Sequence, residues 1–239
     1  MKLALPFALA LALAAGAALA AQPEPGPGKP PSQPLRVQEA VTIYEPMSWP
    51  YIEKGLPGLS AKELKAHYGL YEGYVKKINE IQEKLKDADR SGANYSYNYY
   101  SELKRRQAVP LMGTYLHEAY FENLSPQPLE EGSALAQAMK RDFGSLDAWW
   151  EDARAVCLSA GVGWCVTAYN TREGHLHNYL ITEHHIGYPA HVRPIVVIDS
   201  WEHAFCIDYG TDRGKYLEAV RKLINWKVAQ GRYDKAAKE

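Results

Sequence analysis

Cysteine is scarce, with three residues in a chain of 239. Three are too few for a disulfide-built scaffold, and an odd number leaves at least one thiol unpaired within the chain. Charge of one sign is lacking too. Lysine and arginine total 27 against 28 aspartates and glutamates, for a formal net charge of −1. That excludes a broad polyanion-binding surface, and nucleic acid as the partner with it. No internal repeat is visible, no HExxH zinc motif occurs, and no apolar run beyond residue 21 is long enough to span a bilayer.

What is present points to an ordinary folded protein. The chain is 46% hydrophobic and carries 17 tyrosines and 6 tryptophans, which excludes disorder for most of its length. Eight histidines are enough for a metal site.

The first residues form a group of their own. Met1 and Lys2 give a short positive start, Leu3 to Ala21 carries no charge, and Ala18, Leu19 and Ala20 form a small-x-small cleavage pattern. Residues 1–21 therefore read as a secretory signal peptide. No cysteine follows to take a lipid. Prolines at 23, 25, 27, 30, 31 and 34 make 22–40 an extended linker. The expectation is an exported, periplasmic protein with no membrane association once the signal is removed. In that compartment Cys157 and Cys165 could pair, but they read rather as buried free thiols.

Apolar residues at Leu64, Tyr68, Tyr71, Val75, Ile78, Ile81 and Leu85 fall in steps of three and four. They make Ser60 to Leu85 one helix, with Ser60 and Glu63 as a capping box. Tyr99 to Asn123 is a second helix, interrupted or bent near Pro110. The Tyr- and Asn-rich stretch from Asn94 to Tyr100 reads as the loop between them. Leu124 to Gly132 marks a boundary. Gly132 to Met139 and Ser145 to Leu158 read as helices, with Trp149 in the core and Trp150 half-exposed, or the reverse. Gly163 to Tyr169, His175 to Ile181 and Ile195 to Asp199 are strand-like. Gly214 to Gln230 reads as one closing helix. The fold class is α+β: an N-terminal helical hairpin over 41–128, then a small antiparallel β-sheet with flanking helices over 129–239.

One segment carries chemistry. Pro194 to Ile198 is an apolar strand that delivers Asp199 at its end, with His203 four residues on. Alone that pair is a weak signal, and its bland alternative is a salt-bridged surface turn. Two more histidines lie on apolar helical stripes, His67 on the first helix and His117 on the second. Single histidines on such stripes are commonly core residues. Three histidines and one aspartate meeting in one core would instead make an interior site for iron, manganese or zinc.

From about residue 40 to 235 the chain resembles the iron/manganese superoxide dismutases. Asp199, Ser200, Trp201, Glu202, His203 and Ala204 match that family's D-x-W-E-H-A. Gly161, Gly163 and Trp164 match its G-x-G-W, and His117, Tyr120 and Phe121 match H-x-x-[FY]-[WF]. His67, Tyr68 and Gly69, with Tyr74, Val75 and Asn79, match its first helix. Leu223, Asn225 and Trp226 match its last. The resemblance implies one Fe or Mn ion per subunit, held by His67, His117, Asp199 and His203, within an α/β metal-binding C-terminal part. It implies Tyr74 as the solvent-ordering tyrosine, and Trp164, Trp201 and Phe121 as an aromatic shell. Glu202 would cross a homodimer interface to the partner's ligand histidine. The implied activity is disproportionation of superoxide, a small anionic substrate, to oxygen and hydrogen peroxide.

The chain departs from the family in three places. His67 to Tyr74 is seven residues rather than eight, which keeps both on one face of a regular helix. The usual glutamine that bonds metal-bound solvent is absent. Gly113 stands at the helix position and His184 at the sheet position, so His184 is the candidate for that task. An interface histidine and tyrosine are replaced by Tyr71 and Cys206. The alternative reading is a catalytically impaired, dismutase-like structural or binding protein, and a zinc hydrolase is a weaker third.

Overall fold

A computed structural model describes residues 33–37 and 40–239. The signal peptide assigned to 1–21 and most of the linker assigned to 22–40 lie outside the described residues. Pro34–Glu239 forms one compact unit. No helix among the described residues is long and apolar enough to cross a membrane.

Helix α1 spans Ala61–Asp87 and helix α2 spans Tyr99–Glu122, and the two form the hairpin. Ser60 caps α1 by accepting the Glu63 amide at 3.1 Å. The reciprocal half of the expected capping box is not made, because Glu63 turns its carboxylate to a distant segment. Pro110 lies inside α2 and the helix continues through it, so the expected interruption is absent. Leu64, Tyr71, Val75 and Ile78 of α1 and Leu116, Tyr120 and Phe121 of α2 are buried.

Helices α3 (Ala134–Phe143) and α4 (Leu146–Ser159) follow, each started by a serine cap. Trp149 and Trp150 are both buried, against the expectation that one is half-exposed. Trp149 donates to Thr167 at 2.9 Å, while Arg221 lies over the Trp150 ring. Strands β1 (Trp164–Asn170), β2 (His175–Ile181) and β3 (Val192–Asp199) form an antiparallel sheet in the order β2-β1-β3. A register shift lets β3 accommodate Pro194 on the sheet edge. Gly163 enters β1 at φ 126°, and a Cβ there would meet the Ile181 carbonyl oxygen at 2.1 Å, so only glycine fits.

After β3 come a turn of 3-10 helix at Glu202–Ala204, a four-residue helix α5 (Cys206–Tyr209), α6 (Arg213–Leu223) and α7 (Trp226–Ala236). The single closing helix expected over 214–230 is two helices. Asn225 breaks it by capping the Val228 amide at 3.2 Å while its own amide bonds the Asn123 carbonyl. The apolar period continues across that break, so periodicity alone does not show it.

Residues 40–49 form a strap along the hairpin that sequence patterning gave no sign of. The Asn79 amide group takes both the N–H and the carbonyl of Tyr44, and Gln82 takes the Thr42 N–H.

Asp142 ties α3 to the start of β2. Its side chain is 3% exposed and accepts from Arg141, from His175 at 2.7 Å and from the Leu176 amide at 2.8 Å. Burial pushes its carboxyl up, but these hydrogen bonds outweigh that and hold it at about 2. The resulting stability is present above the unfolded carboxyl's range and is lost as pH falls through about 2. Asp142→Asn is expected to lower unfolding stability at neutral pH by about 1–2 kcal/mol. In urea melts the gap from wild type narrows on acidification through about pH 4 toward 2.

Candidate metal centre

The four ligand candidates come from separate elements and meet in the core. His67 sits on α1, His117 on α2, Asp199 at the end of β3, and His203 in the turn after it. Their ligand atoms all lie within 4.8 Å of one another. Asp199 Oδ2 is the hub, 3.0 Å from His67 Nε2, 3.3 Å from His203 Nε2 and 3.9 Å from His117 Nε2. His67, His117 and Asp199 are buried, and His203 is partly open.

Supporting bonds fix each group. His117 Nδ1 lies 2.6 Å from the Gly113 carbonyl oxygen. A carbonyl only accepts, so Nδ1 carries the hydrogen and Nε2 keeps its lone pair toward the centre. Asp199 Oδ1 accepts from the Trp201 amide at 2.8 Å, and the Asp199 carbonyl accepts from the Tyr216 hydroxyl at 2.9 Å. Trp164, across from Asp199 in the ladder, lies edge-on to His117 at 4.9 Å. Phe121 lies 5.0 Å from His67, and Trp201 stacks on His203 at 5.8 Å.

The electrostatics suit a cation. Burial would push the Asp199 carboxyl up, but the His203 and His67 rings hold it far below the usual carboxylate range. Burial pushes His67 and His117 down, so both rings are neutral. For His203 burial lowers the pKa, but Asp199 outweighs it and raises it. Among the described residues, Nε2 of His67, although 3.0 Å from Asp199 Oδ2, and Nε2 of His117 make no well-directed hydrogen bond. Two orphaned, neutral, buried imidazoles around an ionised carboxylate form a donor set that fits a bound transition-metal cation.

Tyr74 and His184 stand beside this centre. Trp164 Nε1 donates to His184 Nδ1 at 3.0 Å, and His184 Nε2 lies 2.7 Å from the Tyr74 hydroxyl. An indole nitrogen only donates, so Nδ1 accepts and Nε2 carries the ring hydrogen. Both ring nitrogens of His184 are thereby engaged by Trp164 and Tyr74. Burial lowers the His184 pKa to about 4. Burial and then Asp199 raise that of Tyr74.

Glu202 is exposed. Tyr71 is fully buried, donating to Glu118 and accepting from the Met47 amide, while Cys206 is exposed. Cys157 and Cys165 are buried free thiols. Asn123, an acceptor for glycosylation by pattern, is fully buried. Sequence reasoning missed Tyr216, which bonds the Asp199 carbonyl, and Asn123, which bonds Val197 two residues before Asp199.

The fold and this centre define a mononuclear metalloprotein built from a helical hairpin and a three-stranded sheet. Residues 130–232 match the family model for the C-terminal domain of iron/manganese superoxide dismutases. The chain is 39% identical to an iron superoxide dismutase of Aquifex aeolicus, over 77% of this chain and 89% of the relative. It is 33% identical to an iron superoxide dismutase of Cupriavidus metallidurans, over 77% and 93%. It is 30% identical to a manganese superoxide dismutase of Haloferax volcanii, over 81% and 96%. The chain belongs to the iron/manganese superoxide dismutase family.

Proposed function

We propose that the protein disproportionates superoxide outside the cytoplasm, with His67, His117, Asp199 and His203 holding one iron or manganese ion. The observation that carries this reading is the meeting of four ligand atoms within 4.8 Å in the core. The reaction combines two superoxide ions and two protons into one oxygen and one hydrogen peroxide. The ion, when bound, supplies the one-electron couple that links the two half-reactions.

The chain's own residues handle position and protons. Trp164 fixes the His184 tautomer, His184 donates to the Tyr74 oxygen, and the Tyr74 hydrogen is left free to point at the substrate. His184 stays neutral above about pH 4, so this arrangement persists across the neutral range. Trp164, Trp201 and Phe121 wall the centre. A homodimer would bring Glu202 of the partner subunit to His203, where a carboxylate orients the ring. The signal-peptide pattern read over 1–21 supports export to the periplasm.

Gly113→Ala tests the Tyr74 arrangement. The added Cβ would lie 2.8 Å from Tyr74 Cγ and Cδ1, so the ring must shift off His184. Dismutation is expected to fall about 10- to 100-fold with metal content unchanged.

The reading itself is tested by assaying purified protein of known iron and manganese content for superoxide consumed and peroxide formed. One peroxide per two superoxides, in proportion to bound metal, is expected. Full metal occupancy without dismutation would favour a structural or binding protein on this scaffold, a rival motivated by the altered Tyr71 and Cys206 positions.

A further inference from the structure

Glu63 is a carboxylate in an unexpected place. It is 1% exposed, on the first turn of α1, one helical turn before His67 and on the same face. Its Oε2 accepts from the Ile207 amide at 2.8 Å and the Asp208 amide at 3.1 Å. Asp208 answers by accepting the Ser60 amide at 2.6 Å. The Tyr209 hydroxyl donates to the Gly58 carbonyl beside them. Two helix starts have thus exchanged capping carboxylates: Asp208 serves the residue before α1, and Glu63 serves α5. The other oxygen, Oε1, is buried with no partner among the described residues.

This exchange joins two ligand-bearing segments. α5 begins three residues after His203, and α1 carries His67. Glu63 is the α1 side chain that bonds the amides of 207 and 208.

We propose that Glu63 is a positioning residue for His203. By holding the turn after His203 onto the first turn of α1, it sets the separation of the His67 and His203 ring nitrogens from within one subunit. This acts whether or not Glu202 of the partner subunit is present. The inference rests on the reading of His67 and His203 as metal ligands.

The test uses metal-free full-length protein and two probes, manganese(II) and cobalt(II). Affinity is measured by competition with a chelator, and geometry by the visible absorption of the cobalt form. Glu63→Ala is expected to weaken manganese(II) binding about 10- to 100-fold and to shift the cobalt bands. Glu63→Gln is expected to restore both toward wild type, because its amide oxygen accepts from both amides and its NH2 group faces the unpartnered side. Wild-type affinity is expected to stay constant on dilution of the protein.

Wild-type affinity and cobalt bands in Glu63→Ala would overturn the proposal alone. Wild-type protein that binds neither probe would overturn the ligand assignment, and the proposal with it. Circular dichroism checks folding. Where the alanine variant does not fold, Glu63→Asp, one methylene shorter, carries the test: a loss of affinity with shifted cobalt bands supports the proposal, and unchanged values overturn it.

Discussion

Asp199→Asn is expected to leave a folded protein that retains no iron or manganese and loses more than about 100-fold of its dismutation, beyond what removal of an outer partner costs. The asparagine oxygen can still accept the Trp201 amide at the Oδ1 position, now 2.8 Å away, so the local backbone keeps its anchor. What vanishes is the negative charge at Oδ2, toward which three imidazoles converge. Two of those rings are neutral and buried, and neither can offset a cation's charge. Elemental analysis with circular dichroism checks both halves of the expectation. A variant that keeps full metal would remove Asp199 from the ligand set.

Asn123→Ala is expected to have the largest effect on stability, a loss of about 3–5 kcal/mol in urea unfolding. Asn123 is fully buried at the end of α2. Its Nδ2 donates to the Val197 carbonyl at 2.7 Å, and its Oδ1 accepts from the Val197 amide at 3.2 Å. Arg232 of α7 also donates to Oδ1, at 3.0 Å. Alanine strands two buried main-chain groups and part of a guanidinium, each costing about 1–3 kcal/mol when left unsatisfied. The bonded strand residue lies two before Asp199, and α2 carries His117. The lock therefore also holds two ligand segments together, and metal affinity should fall with stability. Asn123→Asp keeps the acceptor for Val197 and Arg232 and is expected to cost less. A loss under about 1 kcal/mol for the alanine variant would show that water replaces the amide.

Much of this was legible in the chain. The apolar steps through Leu64, Tyr71, Val75 and Ile78 define α1, and His67 and Tyr74 share it because seven residues make two helical turns. Strand-like residues end at Asp199, where β3 ends. Local patterns carry local structure well. The break at Asn225 was hidden because its cause is a bond to Asn123, far away in sequence. The expectation that one of Trp149 and Trp150 is half-exposed failed because Arg221 from another helix lies over Trp150. Glu63 looked like half of a capping box, and its actual partners lie 144 and 145 residues on. Tyr71 is held within its own chain by the strap's Met47 amide and by Glu118, bonds that no local pattern around residue 71 encodes. His184, the candidate partner for metal-bound solvent, lies between Trp164 and Tyr74, which belong to two other elements. In each case the partner comes from a separate element, which periodicity does not encode.

The central claim is that one redox metal sits among His67, His117, Asp199 and His203. Anomalous scattering from crystals of the natively loaded protein, recorded across the iron and manganese edges, tests it most directly. A single iron or manganese peak per subunit, enclosed by the three Nε2 atoms and Asp199 Oδ2, is the predicted result. A zinc peak there, a peak elsewhere, or no peak at all would contradict it.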